Sequence, residues 1–140
     1  MFRDLTRKKQ KLSLEECKEI LKQEVRGVLA VNGDDGYPYA LPINFYFDER
    51  NHKIYFHSGK VGHKLDAIDS SDKVSFCVYD KGYHEDGHWS LNIKSVIIFG
   101  RIHMVDEWSD ELITEFSKKF TTDMDYIHNE IEKFRKNTAI

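Results

Sequence analysis

The residues best suited to chemistry lie in one stretch, Ile54–Leu65, which reads Ile-Tyr-Phe-His-Ser-Gly-Lys-Val-Gly-His-Lys-Leu. Ile54, Tyr55 and Phe56 form a short apolar and aromatic run of the kind a buried strand makes. Gly59 and Gly62 then punctuate a small polar turn, and Leu65 and Ile68 recur at helical spacing. A glycine-bearing turn that opens a helix presents unpaired backbone N–H groups and the positive end of a helix dipole. Lys60, His63 and Lys64 add cationic donors at the same place, in a chain that is slightly acidic as a whole. That chemistry is anion binding, most simply of a phosphate. A solvated basic turn is the plainer reading, and the residues alone leave both open. It is not a Walker loop, because Lys64 is followed by Leu65 and not by Ser or Thr.

His57 stands where the strand meets this turn. It could act as a catalytic acid or base, or serve only as a hydrogen-bonded imidazole at a strand end. The seven histidines raise the question of a metal. His84 and His88 would share a helical face, but Gly82 and Gly87 argue against a helix there, and no Cys or carboxylate completes a ligand set at a familiar spacing. No metal is therefore expected. No Ser-His-acid order or nucleophile elbow occurs. Trp89 and the tyrosines read as core or ligand-stacking groups.

These residues need elements to position them. Ser13 and Glu16 form a capping box, and the helix it opens, Leu14–Glu24, puts Leu14, Cys17, Ile20 and Leu21 on one face. Val25–Val31 reads as a strand, and the turn cluster Asn32–Gly36 predicts an antiparallel return. The returning strand, Tyr37–Asp48, carries Tyr37, Tyr39, Leu41, Ile43, Phe45 and Phe47 at odd positions, so that face should line the core. Both prolines of the chain, Pro38 and Pro42, occupy even positions of this strand. Each lacks an N–H on the same strand edge, so that edge cannot carry a full ladder. Backbone groups should be left free near Pro42–Asn44, where a ligand could approach.

Lys53–His57 is the third strand. A short helix through Ile68 follows, and Lys73–Tyr79 alternates with Val74, Phe76 and Val78 inward. Asp80–His88 reads as a loop and Trp89–Val105 as one long strand. Within it, Val96–Phe99 is apolar at both parities, which implies internal cover or a subunit interface. Trp108, Leu112, Phe116 and Phe120 mark a helix, and Ile127, Ile131 and Phe134 mark another over Asp125–Lys136. The expected fold class is α+β, mainly β: five or six antiparallel strands with peripheral helices, best closed as a barrel.

At 140 residues the chain should be one domain, with a charged arm over 1–11 and C-terminal helices over 107–137. Its 40% hydrophobic and 32% charged residues are ordinary for a soluble protein. A formal charge of −3 argues against a nucleic-acid footprint. No run is long enough to span a bilayer, and no apolar segment follows the basic N-terminus. Cys17 and Cys77 form no C-x-x-C pair and read as buried free thiols, so a cytoplasmic location is expected.

Four blocks together resemble the pyridoxamine-phosphate-oxidase-like FMN-binding split barrels, and within them the small nitroimidazole-resistance branch. They are Leu12–Leu21, Gly36–Phe45, Ile54–Leu65 and Ser95–Gly100. The resemblance implies an antiparallel split β-barrel and a homodimer with two FMN molecules at its interface. Carried over residue by residue, Pro42, Ile43 and Asn44 would lie along the flavin ring, and His57 and Ser58 would edge it. Gly62, His63 and Lys64 would reach the phosphate, and Ser95 and Val96 would close the site. The implied activity is FMN-dependent electron transfer from a nicotinamide donor to a small acceptor such as a nitroimidazole or other nitroaromatic. With no Rossmann G-x-G-x-x-G, the nicotinamide would bind transiently. One departure is plain. Pyridoxamine-phosphate oxidases proper end in a strand with a tryptophan and basic residues for the substrate, whereas this chain ends in the charged segment Glu130–Lys136 and Asn137–Ile140. Vitamin B6 oxidation is not implied. A non-enzymatic flavin or haem binder, with His57 or His63 as axial ligand, is the alternative. A cofactor-free interaction module is a third.

Overall fold

In the computed structural model the capping box forms: the Ser13 side chain accepts from the Glu16 N–H at 3.2 Å, and the Glu16 carboxylate accepts from the Ser13 N–H at 3.2 Å. The structure describes residues 3–5, 8–57, 71–105, 108–121, 123, 125 and 127. Helix α1 (Leu14–Gln23) buries Ile20 and Leu21, with Leu12 and Cys17 partly buried against them. Leu14, expected on that face, is 70% exposed. Leu12 and Cys17 flank the cap as a staple does, so the apolar contact of the first turn comes from outside the helix.

The strands are β1 (Arg26–Asn32), β2 (Pro38–Asp48), β3 (Lys53–Phe56), β4 (Lys73–Tyr79), β5 (Tyr83–His84), β6 (Leu91–Asn92) and β7 (Ser95–Arg101). Five of them form one antiparallel sheet in the order β3-β2-β1-β4-β7, curled into a half-barrel, and β5 and β6 form a separate hairpin. The turn between β1 and β2 places Asp35 at φ 56° and Gly36 at φ 78°, a left-handed pair that Gly and Asp tolerate.

The concave face is the core. Leu29 and Val31 of β1, Ile43 and Phe45 of β2, Phe56, Phe76, Val78 and Val96 pack with Ile20 and Leu21. The Phe76 ring meets Phe45 and Phe56 edge-on, with centroids 5.0 Å and 4.9 Å away. A Cβ on Gly27 would stand 2.5 Å from that ring, so only glycine fits against the Phe76 ring there. As predicted, the odd residues of β2 face inward. Tyr37 is the exception at 76% exposed, because it precedes the strand.

A second cluster covers the other face at the β2–β3 end. Helix α2 (Asp110–Lys118) brings Ile113 and Phe116, with Trp108 just before it, onto Tyr46 and Tyr55. The four-residue spacing read from the sequence overstates this helix: Phe120 is 41% exposed and Ile113 is fully buried. Each four-residue step overshoots a turn by about 40°, so the stripe swings off its contact face. The helix expected over Asp125–Lys136 lies largely outside the described residues, although Ile127 is buried.

The long strand expected over Trp89–Val105 is interrupted. Asp80 accepts from the Gly82 and Lys94 N–H groups through its carboxylate, both at 3.0 Å, and its own N–H donates to the Lys94 carbonyl. That clamp separates β6 from β7 and makes the 80–94 segment a hairpin rather than an open loop. Its Trp89 is 91% exposed, so it is not a core residue. Cys17 and Cys77 are free but only half-buried. Among the described residues, no helix is long and apolar enough to cross a membrane.

Candidate functional site

The convex face of the sheet is assembled by register. Pro42 lies opposite Val28, Val28 opposite Cys77, and Cys77 opposite Ile97. The next row is Ala40, Ala30, Ser75 and Phe99. Ile97 and Phe99 are 62% and 55% exposed. Of the doubly apolar run in β7, therefore, Val96 and Ile98 face the core, while Ile97 and Phe99 face outward and keep more than half of their surface exposed.

The edge of β2 behaves as its prolines require. The Phe45 N–H donates to Val25, and the Tyr37 carbonyl accepts from Gly33, so the odd residues of β2 turn their backbone groups toward β1. The even residues turn theirs to the far edge. There β3 pairs only with Phe45–Asp48. Over residues 38–44 that edge has no strand beside it among the described residues, and the Ala40 and Asn44 amides point into it.

The register also gathers the polar candidates. Asn44 lies opposite Arg26 and Tyr79 opposite Ser95, and continuing the β2–β3 ladder by one residue and the β1–β4 ladder by two aligns His57, Asn44, Arg26, Tyr79 and Ser95 in one row. Arg26 Nε donates to Asn44 Oδ1 at 3.1 Å. The exposed His57 ring stands edge-on to Phe116, 6.4 Å between centroids, so α2 walls that end of the row.

Pro42, Asn44, His57 and Ser95 thus share the convex face, whereas the side chains of Ile43 and Val96 are buried in the core at 7% and 9% exposure. A ligand could meet Ile43 and Val96 only through main chain. Pro42–Asn44 and Ser95–Val96 are not adjacent within one chain: β1 and β4 stand between them, about 14 Å across three strand spacings. Ser58, Gly62, His63 and Lys64 lie outside the described residues.

Sequence reasoning passed over two cations. Arg26 was invisible because nothing local marks a strand-end arginine as facing Asn44. Lys119, just after α2, is half-buried: its Nζ donates to the Phe45 and Leu21 carbonyls at 3.0 and 3.3 Å and sits 3.6 Å from the centre of the Phe45 ring. Burial pulls its amine down to about 8, with nearby Glu24 acting the other way. Burial, aided by Glu115 and Asp48, raises Tyr46, and burial raises Tyr55 beside it, so both phenols stay protonated at neutral pH. His84 and His88 sit in the hairpin and its loop rather than on a helix.

The fold has clear relatives among solved structures. A conserved hypothetical protein from Mycobacterium tuberculosis superposes with a TM-score of 0.78 at 16% identity, over 98% of this chain and 84% of that one. A candidate 5-nitroimidazole antibiotic resistance protein from Bacteroides thetaiotaomicron gives 0.69 at 19% identity, over 79% and 68%. An FAD- and haem-binding protein from Mycobacterium smegmatis gives 0.58 at 18% identity, over 86% and 57%. No curated protein matches the sequence significantly. The family model described as pyridoxamine 5'-phosphate oxidase matches residues 13–133. That match spans most of the chain, including α1, the whole sheet and α2, so this protein belongs to the pyridoxamine 5'-phosphate oxidase family and has its split-barrel fold.

Proposed function

We propose that the protein is an FMN-binding oxidoreductase that passes electrons from a nicotinamide donor to a small acceptor of the nitroimidazole or nitroaromatic class. The observation that carries this reading is the edge of β2 over residues 38–44, which no strand among the described residues covers, beside an exposed apolar face. A flat heteroaromatic ring with carbonyl and N–H groups on its rim needs such a place: apolar surface for the ring and free main-chain donors and acceptors for the rim. The flavin, when bound, supplies the redox chemistry, and the protein supplies binding, orientation and electrostatics.

In this reading the Asn44 amide and the Pro42 carbonyl hold the ring edge, His57 borders it against α2, and Ser58, Gly62, His63 and Lys64 take the phosphate. The separation of Pro42–Asn44 from Ser95–Val96 favours a homodimer, in which Ser95 and Val96 of a second copy close the site. The exposed Ile97 and Phe99 would then be interface residues. No metal enters the scheme.

A non-enzymatic binder of flavin or haem is the second reading. It is favoured by the M. smegmatis relative, which binds both, and by His57 as a histidine on the site face. The visible spectrum of the purified protein, before and after adding FMN or haem, decides between them. Flavin bands that bleach with NADH or NADPH and recover with a nitroaromatic support the oxidoreductase. A Soret band supports the haem binder. A colourless protein that takes up neither defeats both and leaves an interaction module.

A further inference from the structure

In the row of Asn44, the convex face carries a charge with no ionic partner among the described residues. Arg26 is exposed at the start of β1, on the face that also presents Val28, Pro42, Cys77 and Ile97. Its described partner is the neutral Asn44 side chain, at 3.1 Å through Nε. Among the described residues no carboxylate stands within ion-pairing distance of it. By contrast Arg101, on the same face at the other end of β7, is held by both oxygens of Asp72 at 2.9 Å. A guanidinium carries five N–H donors in a rigid fork, and the single contact with Asn44 leaves four of them unused by the described residues. If a ligand and a second copy cover this face, Arg26 loses its water. Burying a charge is costly unless it is paired and hydrogen-bonded, so what covers it must bring negative charge or strong acceptors.

We propose that Arg26 is a ligand-facing residue that recognises the electron-rich N1–C2 carbonyl edge of the bound flavin and favours its reduced, anionic form. This rests on the FMN reading above. The placement supports it. The stretch expected to take the phosphate follows His57 on the β3 side of Asn44, and Arg26 lies on the opposite, β1 side. A ligand running from one to the other across Asn44 ends beside the guanidinium. Nε, fixed by Asn44, orients the fork so that the Nη donors are presented to the ligand as a preorganised pair. A cation there binds the ring more tightly after it gains electrons and negative charge than before. By linkage, the reduction potential of the bound flavin rises by the ratio of the two affinities.

The test uses the full-length protein reconstituted with FMN. Arg26→Gln keeps a donor for Asn44 Oδ1 but removes the charge. It should leave the affinity for oxidised FMN within about threefold and weaken that for reduced FMN about tenfold. Its midpoint potential should then fall by about 30 mV, the two-electron equivalent of tenfold. Arg26→Lys should recover most of that fall. Asn44→Asp, which hands Arg26 a carboxylate inside the protein, should lower the potential in the same direction, and it covers the case in which Arg26→Gln fails to fold. An unchanged potential in the folded variants, with FMN still bound, overturns the assignment of Arg26. Failure of the wild-type protein to bind FMN is a different result: it removes the FMN reading itself, and this one with it.

Discussion

At the scale of single residues, two lysines make opposite kinds of prediction. Lys64 lies outside the described residues, and its role rests on the sequence: a cationic donor in a glycine-bearing turn. A charge-assisted contact to the FMN phosphate is worth roughly 1.5–3 kcal/mol. Lys64→Ala should therefore weaken FMN binding about 10- to 100-fold, while riboflavin, which lacks the phosphate, should bind poorly to both proteins and barely register the change. Paired titrations check this; an equal loss for both ligands would show that Lys64 does not touch the phosphate. Lys119 is a matter of stability. Its pKa in the folded protein is about 8, below the ordinary 10.5, because it is partly buried. Between those values the unfolded chain holds more protons than the folded one, so stability should rise with pH from 8 towards 10.5. Solvent screening limits the gain to about 1 kcal/mol. Urea unfolding of the wild type and Lys119→Met from pH 7 to 10 isolates the effect. The advantage of the wild type should grow with pH, and a constant difference would refute the depressed amine.

At the scale of elements, β2 is where local covalent chemistry and function meet. Its prolines leave an edge without ladder partners over 38–44 among the described residues, and its register puts Ile43 and Phe45 into the core while Pro42 and Asn44 face out. The Asn44 side-chain oxygen is already engaged by Arg26, so the contact offered to a ring is chiefly main chain. Asn44→Ala should therefore weaken FMN binding by less than about tenfold and leave the circular dichroism spectrum intact. Complete loss of FMN from a folded Asn44→Ala protein would show that the side chain dominates instead. Strand β7 teaches a different lesson. An apolar run at both parities does not become a strand buried on both sides. In the chain by itself, half of it is core and half is exposed, with Ile97 at 62%.

At the scale of the whole molecule, that exposed half is the surface the proposed homodimer would bury. Ile97, Phe99, Cys77, Val28 and Pro42 form a contiguous apolar band on the convex face, and bands of this kind mark association surfaces. In an isologous dimer, Ile97→Asp places a charge from each protomer into the interface, where an unpaired charge costs several kcal/mol. Sedimentation should then show monomers or aggregates with reduced FMN content. A dimer that survives the change with its FMN would place the interface elsewhere.

Much of this protein was written in local sequence. The capping box of α1, the Asn32–Gly36 turn, the inward parity of β2 and the missing ladder edge at Pro38 and Pro42 all follow from residues within a few positions of one another. Backbone sterics and side-chain alternation act at that range, so these features are legible without a fold. The resemblance of four ordered blocks also sufficed for the family. Other features depend on partners distant in the chain. Asp80 reaches Lys94 and splits a strand that otherwise reads as continuous. Gly27 is required by Phe76, and Arg26 meets Asn44 only because β1 and β2 pair in that register. Which half of Val96–Phe99 enters the core, and that two strands separate Ser95 from Asn44, were decided by strand order. Periodicity defines the two faces of a strand, but only the packing of the assembled sheet determines which of them is covered, and by what.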